Sequence, residues 1–241
     1  MARGRHKTGR KHTAAIVAAN VALLREEGIP NINLDLIAGL AAQTPASWET
    51  SLDWIERLAP PHASVYMLEV DEDSRLGLEI LNNGPKYGAQ DIPDDDAIAT
   101  MYERAVERLT AMGLPRYEVS NFGQPSLHNL KYWRLEEYLG FGADAHSSAA
   151  GQRWQNPETA LTYVEQGPGR QAATAADPGS ERFFVGLRLS EGVLPQPAEW
   201  TRWAAPIERF LADGLLERDG DRLRLSPRGV LLSNDVLQEF L

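Results

Sequence analysis

The sequence predicts an α/β fold: a parallel sheet with helical crossovers, followed by a smaller, mainly helical module. Three observations carry this. Helical and strand-like periodicities alternate from about residue 13 to about residue 120, the first strand shows one polar face, and the pattern changes after a glycine-rich stretch at Tyr138–Ser147.

The first helix is expected over 13–27, where Val17, Val21 and Leu24 recur at helical spacing and Gly28 stands at the C-cap. In Ile32–Ile37 the apolar Ile32, Leu34 and Leu36 alternate with Asn33 and Asp35, the pattern of a strand with a polar face. Thr44-Pro45 supplies an N-cap and a first-turn proline for a helix to Leu58, whose inner side is Trp48, Leu52 and Ile55. A second strand is expected over Ser64–Val70, a short helix near Arg75–Leu81, and a long helix opened by Asp94-Asp95-Asp96 and closed by Gly113. Tyr117–Ser120 reads as a third strand, which completes a parallel βαβ rhythm.

Beyond residue 150 a helix is expected after Asn156-Pro157, Gly167–Ser180 reads as a linker or loose loop, and Glu181–Leu189 as a helix with Phe184, Leu187 and Leu189 inward. Pro206 opens a helix to Gly214, a hairpin turns around Asp219-Gly220, and Ser226-Pro227 opens a last helix carrying Val230, Leu237 and Leu241. Helix, hairpin and helix in that order describe a winged-helix-like module.

Such modules often bind nucleic acid, but the charge argues against it here. From Glu181 to Leu241 there are eight arginines and no lysine against ten acids. In the whole chain Arg3, Arg5, Lys7, Arg10, Lys11 and Arg25 precede the first acid, Glu26, so 18 basic residues face all 34 acids beyond it. The basic start followed by Ala14–Leu24 imitates a secretory signal, yet Arg25-Glu26-Glu27-Gly28 follows where a small-residue cleavage site should stand. With no apolar run of membrane-spanning length, a cytoplasmic location is expected. The chain has no cysteine, which excludes disulfides, thiolate zinc sites, cysteine nucleophiles and an iron–sulfur cluster held by its own thiolates.

Chemistry concentrates in His128-Asn129-Leu130-Lys131-Tyr132-Trp133 and the glycine-rich Tyr138–Ser147 that follows. An imidazole, flat rings and glycines that let backbone approach are what a planar, metal-bearing ligand needs. A histidine beside aromatics equally serves as a satisfied core residue.

Several blocks together carry a resemblance: Asn31–Thr44, Ser64–Leu68, Tyr117-Glu118-Val119-Ser120-Asn121-Phe122, His128–Trp133 and Tyr138–Ser147. Their order and spacing resemble the oxygen-independent coproporphyrinogen III oxidase-like radical SAM proteins, and most of all the HemW-type haem chaperones. The resemblance implies the C-terminal part of a radical SAM (β/α)6 partial TIM-like barrel followed by a HemN-type C-terminal domain. It divides the chain into a basic N-terminus (1–12), a partial barrel with the His-Asn-x-x-Tyr-Trp segment (13–150) and the C-terminal domain (151–241). The family's 4Fe–4S cluster motif and glycine-rich S-adenosylmethionine loop are absent and belong N-terminal to Met1, so radical catalysis by this chain alone is not expected.

The resemblance also assigns residues. His128, Asn129, Tyr132 and Trp133 match the block associated with haem binding, with His128 the iron ligand. Arg10 and Asp35 match positions that contact S-adenosylmethionine, and His146 lies where a substrate or second cofactor would be. The implied function is haem binding and delivery to an acceptor protein; a fragment of an oxidase-like enzyme and an interaction module are the alternatives. Membrane contact is expected only through an acceptor, and self-association through an exposed barrel edge. The family's Leu-Pro-Gly-Gln-Thr turn reads Leu40-Ala41-Ala42-Gln43-Thr44 here, losing its proline and glycine. Tyr132 and Trp133 are neighbours, and in an extended segment only one of them would face a ligand.

Overall fold

The computed structural model describes residues 12–175 and 178–241, in two compact units that divide between Pro125 and Ser126. The division therefore precedes the His128 block, whereas the reading of the sequence put it at about 150.

The first unit alternates helices and strands. Helix α1 (Ala14–Glu26) is capped by Thr13, whose hydroxyl accepts from Ile16 N, and strand β1 is Asn33–Ala38. Helix α2 (Pro45–Leu58) opens with a capping box between Thr44 and Ser47. Strand β2 (His62–Met67), α3 (Arg75–Leu81), a 3-10 turn at Lys86–Asp91 and α4 (Asp95–Ala111) follow, the last capped by Asp94 with Asp95 and Asp96 in its first turn.

The sheet order is β1-β2-β3, and only β1 and β2 are parallel. Strand β3 is Asn121–Gly123 and runs antiparallel to β2, so the expected third parallel strand at Tyr117–Ser120 is not there. Those residues fold back instead: Tyr117 N donates to Asn121 O at 3.1 Å, and Arg116 bridges Phe122. A local hydrogen-bonded return outcompetes the alternation that Tyr117-Glu118-Val119-Ser120 displays.

The turn after β1 is built without the proline and glycine of the family pattern. Ala42 takes the left-handed conformation with φ 59°. Gln43 fixes the turn from inside: its Oε1 accepts from Gly39 N at 2.6 Å and Leu40 N at 3.2 Å, and its Nε2 donates to Ile37 O at 3.1 Å. A non-glycine residue there costs about 1 kcal/mol, which those bonds offset.

One face of the sheet is core. Ala63, Val65 and Phe122 are fully buried beside Trp48 and Leu52 of α2 and Met101, Ala105 and Leu109 of α4, and the Trp48 indole donates to Met101 O at 2.7 Å. The other face is polar, because the register sets Asn33 opposite His62, and Asp35 opposite Ser64, itself opposite Asn121. A directed chain of bonds crosses it. Asn33 Nδ2 donates to Asp35 at 2.7 Å, which turns Asn33 Oδ1 toward His62 Nδ1 at 2.7 Å, while the Tyr117 hydroxyl lies 2.8 Å from His62 Nε2. The neutral imidazole that donates from Nδ1 and accepts at Nε2 satisfies all of these at once.

Burial pushes the His62 pKa below its usual 6.5, with the Asp35 carboxylate pulling weakly the other way. The unfolded chain then binds the extra proton first. The stability this group contributes is complete above about pH 6.5 and is lost as pH falls through the lower folded value. Urea unfolding at pH 7.5 and pH 5.5 should show a larger loss of stability in the wild type than in His62→Gln. Equal losses would remove His62 as a source of the pH dependence.

In the second unit, α5 (Leu127–Trp133) leads to a three-stranded antiparallel sheet, β4 (His146–Ala149), β5 (Gln152–Gln155) and β6 (Thr174–Ala175), with α6 (Ala160–Gln166) between the last two strands. Residues 167–175 are thus a 3-10 turn and a paired strand, not a loose loop. In α7 (Pro178–Gly186) the fully buried aromatic is Phe183, and Phe184 is only half-buried, one position away from expectation.

Helix α8 (Pro197–Arg202), which the sequence did not announce, and α9 (Ala204–Ala212) precede the hairpin β7 (Leu216–Asp219) and β8 (Arg222–Leu225). The hairpin turns through Gly220 at φ 60°. The expected single last helix is broken at Leu232 into α10 (Pro227–Leu231) and α11 (Ser233–Leu237), and a 3-10 turn then buries Phe240 while leaving Leu241 exposed. No helix among the described residues is long and apolar enough to cross a membrane.

Candidate haem-binding surface

Seven residues make α5, and its N-cap is Ser126, whose hydroxyl accepts from Asn129 N at 3.4 Å. The helical turn splits the His-Asn-x-x-Tyr-Trp block between two faces. His128 and Tyr132, four apart, stand together: the hydroxyl lies 3.2 Å from His128 Nε2 and the rings meet edge-on with centroids 5.2 Å apart. Leu130 and Trp133, three apart, point into the unit, where Leu130 is buried. Trp133 is therefore turned from His128 by helical geometry and not by the strand alternation anticipated from the sequence. Asn129 is half-buried and serves the N-terminal turn through its backbone.

The aromatic row does not stop at Tyr132. Tyr138 meets it edge-on at 4.7 Å and is held in place by a two-way backbone bridge to Ser148, at 2.9 and 3.0 Å. This third ring joins the site only through that long-range bridge, a contact with no sequence periodicity to announce it. Continuing the bridge by two residues brings Gly140 against His146. A Cβ at Gly140 would stand 2.2 Å from His146 O, so no side chain fits there. By this register His146 shares a sheet face with Tyr138, and like His128 it is exposed.

Below the glycine-rich loop sits Asn156, 2% exposed. Its Nδ2 donates to Gly140 O at 3.1 Å and Gly142 O at 2.9 Å, its Oδ1 accepts from Gly169 N at 3.1 Å, and its backbone N donates to Ala145 O at 2.9 Å. One amide thus fixes the path of the chain from Gly140 to Ala145, directly after Tyr138. No motif in the sequence marks it.

Three further residues are matched to cofactor or substrate positions: Arg10, Asp35 and His146. Arg10 lies outside the described residues, and His146 belongs to the second unit while Asp35 belongs to the first. Asp35 lies at an apolar cavity of about 230 Å³ whose walls include Leu34, Leu36, Trp48, Trp54 and Leu58. The other polar side chains of its lining are His12, Gln43 and Ser51; Gln43 is engaged in the turn after β1 and Ser51 donates to Ser47 O, which leaves too small a donor set to argue for S-adenosylmethionine. A 4Fe–4S cluster does not fit this chain at all, since there is no thiolate to hold it. The α5 surface offers donor chemistry of the kind haem takes: an exposed imidazole, bonded among the described residues to the Tyr132 hydroxyl, stands at the end of a row of rings. No group of three or more His, Asp or Glu suited to a bare metal ion occurs among the described residues.

Residues 173–232 match the HemN C-terminal domain family. The chain is 31% identical to the haem chaperone HemW of Lactococcus lactis, 32% to that of Bacillus subtilis and 34% to that of Mycobacterium tuberculosis, in each case over 98% of its own length. It spans 60–65% of the length of those relatives. Among solved structures it is similar to the Escherichia coli coproporphyrinogen III oxidase HemN, described as a radical SAM enzyme, with a TM-score of 0.75 at 19% identity, covering 98% of this chain and 61% of that one. In sequence the chain is similar to the HemW haem chaperones over nearly its whole length, and its mixed α/β fold is like that of HemN.

Proposed function

We propose that this chain binds haem on the outer face of α5, with His128 as the axial ligand and Tyr132 and Tyr138 against the macrocycle, and passes it to an acceptor protein. The first unit is then the remaining part of a (β/α)6 barrel and the end of the chain a winged-helix-like module without a nucleic-acid role. The observation that carries the reading is the row His128, Tyr132, Tyr138, with the imidazole exposed at one end. The HemW relatives' name, haem chaperone, supports it. Bound haem supplies an iron that accepts an imidazole nitrogen and a flat apolar ring that packs on aromatic faces. Tyr132 holds the His128 ring by its hydroxyl, and His128 Nε2 would be the atom that holds the iron in place of that bond.

A haemin titration at neutral pH, followed in the Soret band, tests the assignment. His128→Ala should bind at least about tenfold more weakly than wild type, a loss of about 1.4 kcal/mol. Superimposable titrations and spectra would remove His128 as the ligand.

A further inference from the structure

The inner face of α5 shows what holds the outer face in place. The Arg188 guanidinium lies over the Trp133 ring at 5.3 Å and over the Phe184 ring at 5.3 Å, one cation in contact with both aromatic rings. Arg134, one residue beyond Trp133, meets Glu191, three beyond Arg188, at 3.4 Å. Helix α5 is too short to be stable on its own, so its orientation is set by what Leu130 and Trp133 pack against. Leu130 is 7% exposed, and the Trp133 indole nitrogen is buried without a hydrogen-bond partner among the described residues. Trp133 therefore has a packing role and no polar one. Arg188 lies within residues 173–232, the stretch that matches the HemN C-terminal domain family.

We infer that Arg188 is the positioning residue of the haem surface: held against both Trp133 and Phe184, it fixes the rotation of α5 and so the direction in which His128 and Tyr132 point. This rests on the haem reading for its functional consequence. On this view Trp133 touches no haem, and the C-terminal domain is the mount of the binding helix.

Stacking needs a flat cation, so lysine should not replace arginine here even though the charge is kept, whereas phenylalanine should largely replace Trp133. Two measurements decide. In the full chain without haemin, the imidazole C–H resonances of His128 should shift in Arg188→Ala and equally in Arg188→Lys, and should stay near their wild-type positions in Trp133→Phe. In the haemin titration both Arg188 variants should bind about tenfold more weakly with an altered Soret band, and Trp133→Phe less than threefold more weakly. Wild-type His128 resonances in Arg188→Lys, or full rescue of haemin binding by lysine, would overturn the inference. Should Arg188→Ala fail to fold, the lysine variant still carries the test. If His128→Ala binds haemin like wild type, the haem reading fails, and the haemin-free resonances still decide whether Arg188 sets the helix.

Discussion

Truncating Phe240 to alanine should cost about 3–5 kcal/mol and unfold the second unit in conditions where the wild type is intact. Phe240 is fully buried, stacks on Phe183 with centroids 5.1 Å apart, and meets Trp203 edge-on at 5.6 Å and Phe210 at 6.4 Å. It is the hub on which α7, α9 and the segment carrying Trp203 converge, so the cavity left behind cannot close from one side alone. Phe240→Leu should recover more than half of the loss, because most of the buried apolar volume returns. Urea denaturation measures both, and a Phe240→Ala variant within 1 kcal/mol of wild type would show that the cluster is not the core of that unit.

The second large effect is at Asn156. Asn156→Ala removes the partners of two carbonyls and one amide together, and leaving such groups unmet costs about 1–3 kcal/mol each before water reaches them. With hydration of an exposed loop allowed for, the expected loss is about 2–4 kcal/mol. Asn156→Asp is the sharper variant, since a carboxylate has no donor for Gly140 O and Gly142 O and sets negative charge against both. Hydrogen exchange should quicken at Asn156 and Gly169, the amides bonded to Ala145 O and Asn156 Oδ1. Because the same loop begins at Tyr138, haemin affinity should fall with it. Unchanged exchange at both amides would mean that the loop holds its path without Asn156.

The helices were legible where local chemistry and tertiary need coincide. Thr44-Pro45 and Asp94-Asp95-Asp96 begin helices in sequence and in structure alike, because capping and first-turn charge act over four residues and do not depend on the rest of the fold. Tyr117–Ser120 misled for the opposite reason: its alternation is real, but Tyr117 serves His62 and the pairing passes to Asn121–Gly123. The sheet β4-β5-β6 was not visible, since strands of two to four mostly polar residues give no period to read.

The site divides in the same way. His128 and Tyr132 could be named from the motif, and their pairing follows from helical spacing. Trp133 was placed with them because motif residues read as one group, although five residues of helix put it on another face than His128. Tyr138 and Asn156 needed the fold, since each acts through a backbone partner ten or more residues away.

The position of Asn156 has a bearing on how the protein ages. Asparagine deamidates when the backbone nitrogen of the next residue attacks the side-chain amide and sheds its proton, and the next residue here is Pro157, which has none to shed. The amide that orders the glycine-rich loop is thereby shielded from the commonest spontaneous lesion of its type. Asn83, exposed, at φ 51° and followed by Gly84, has no such shield. Chemical wear in this chain should collect there, far along the sequence from the surface that His128 presents.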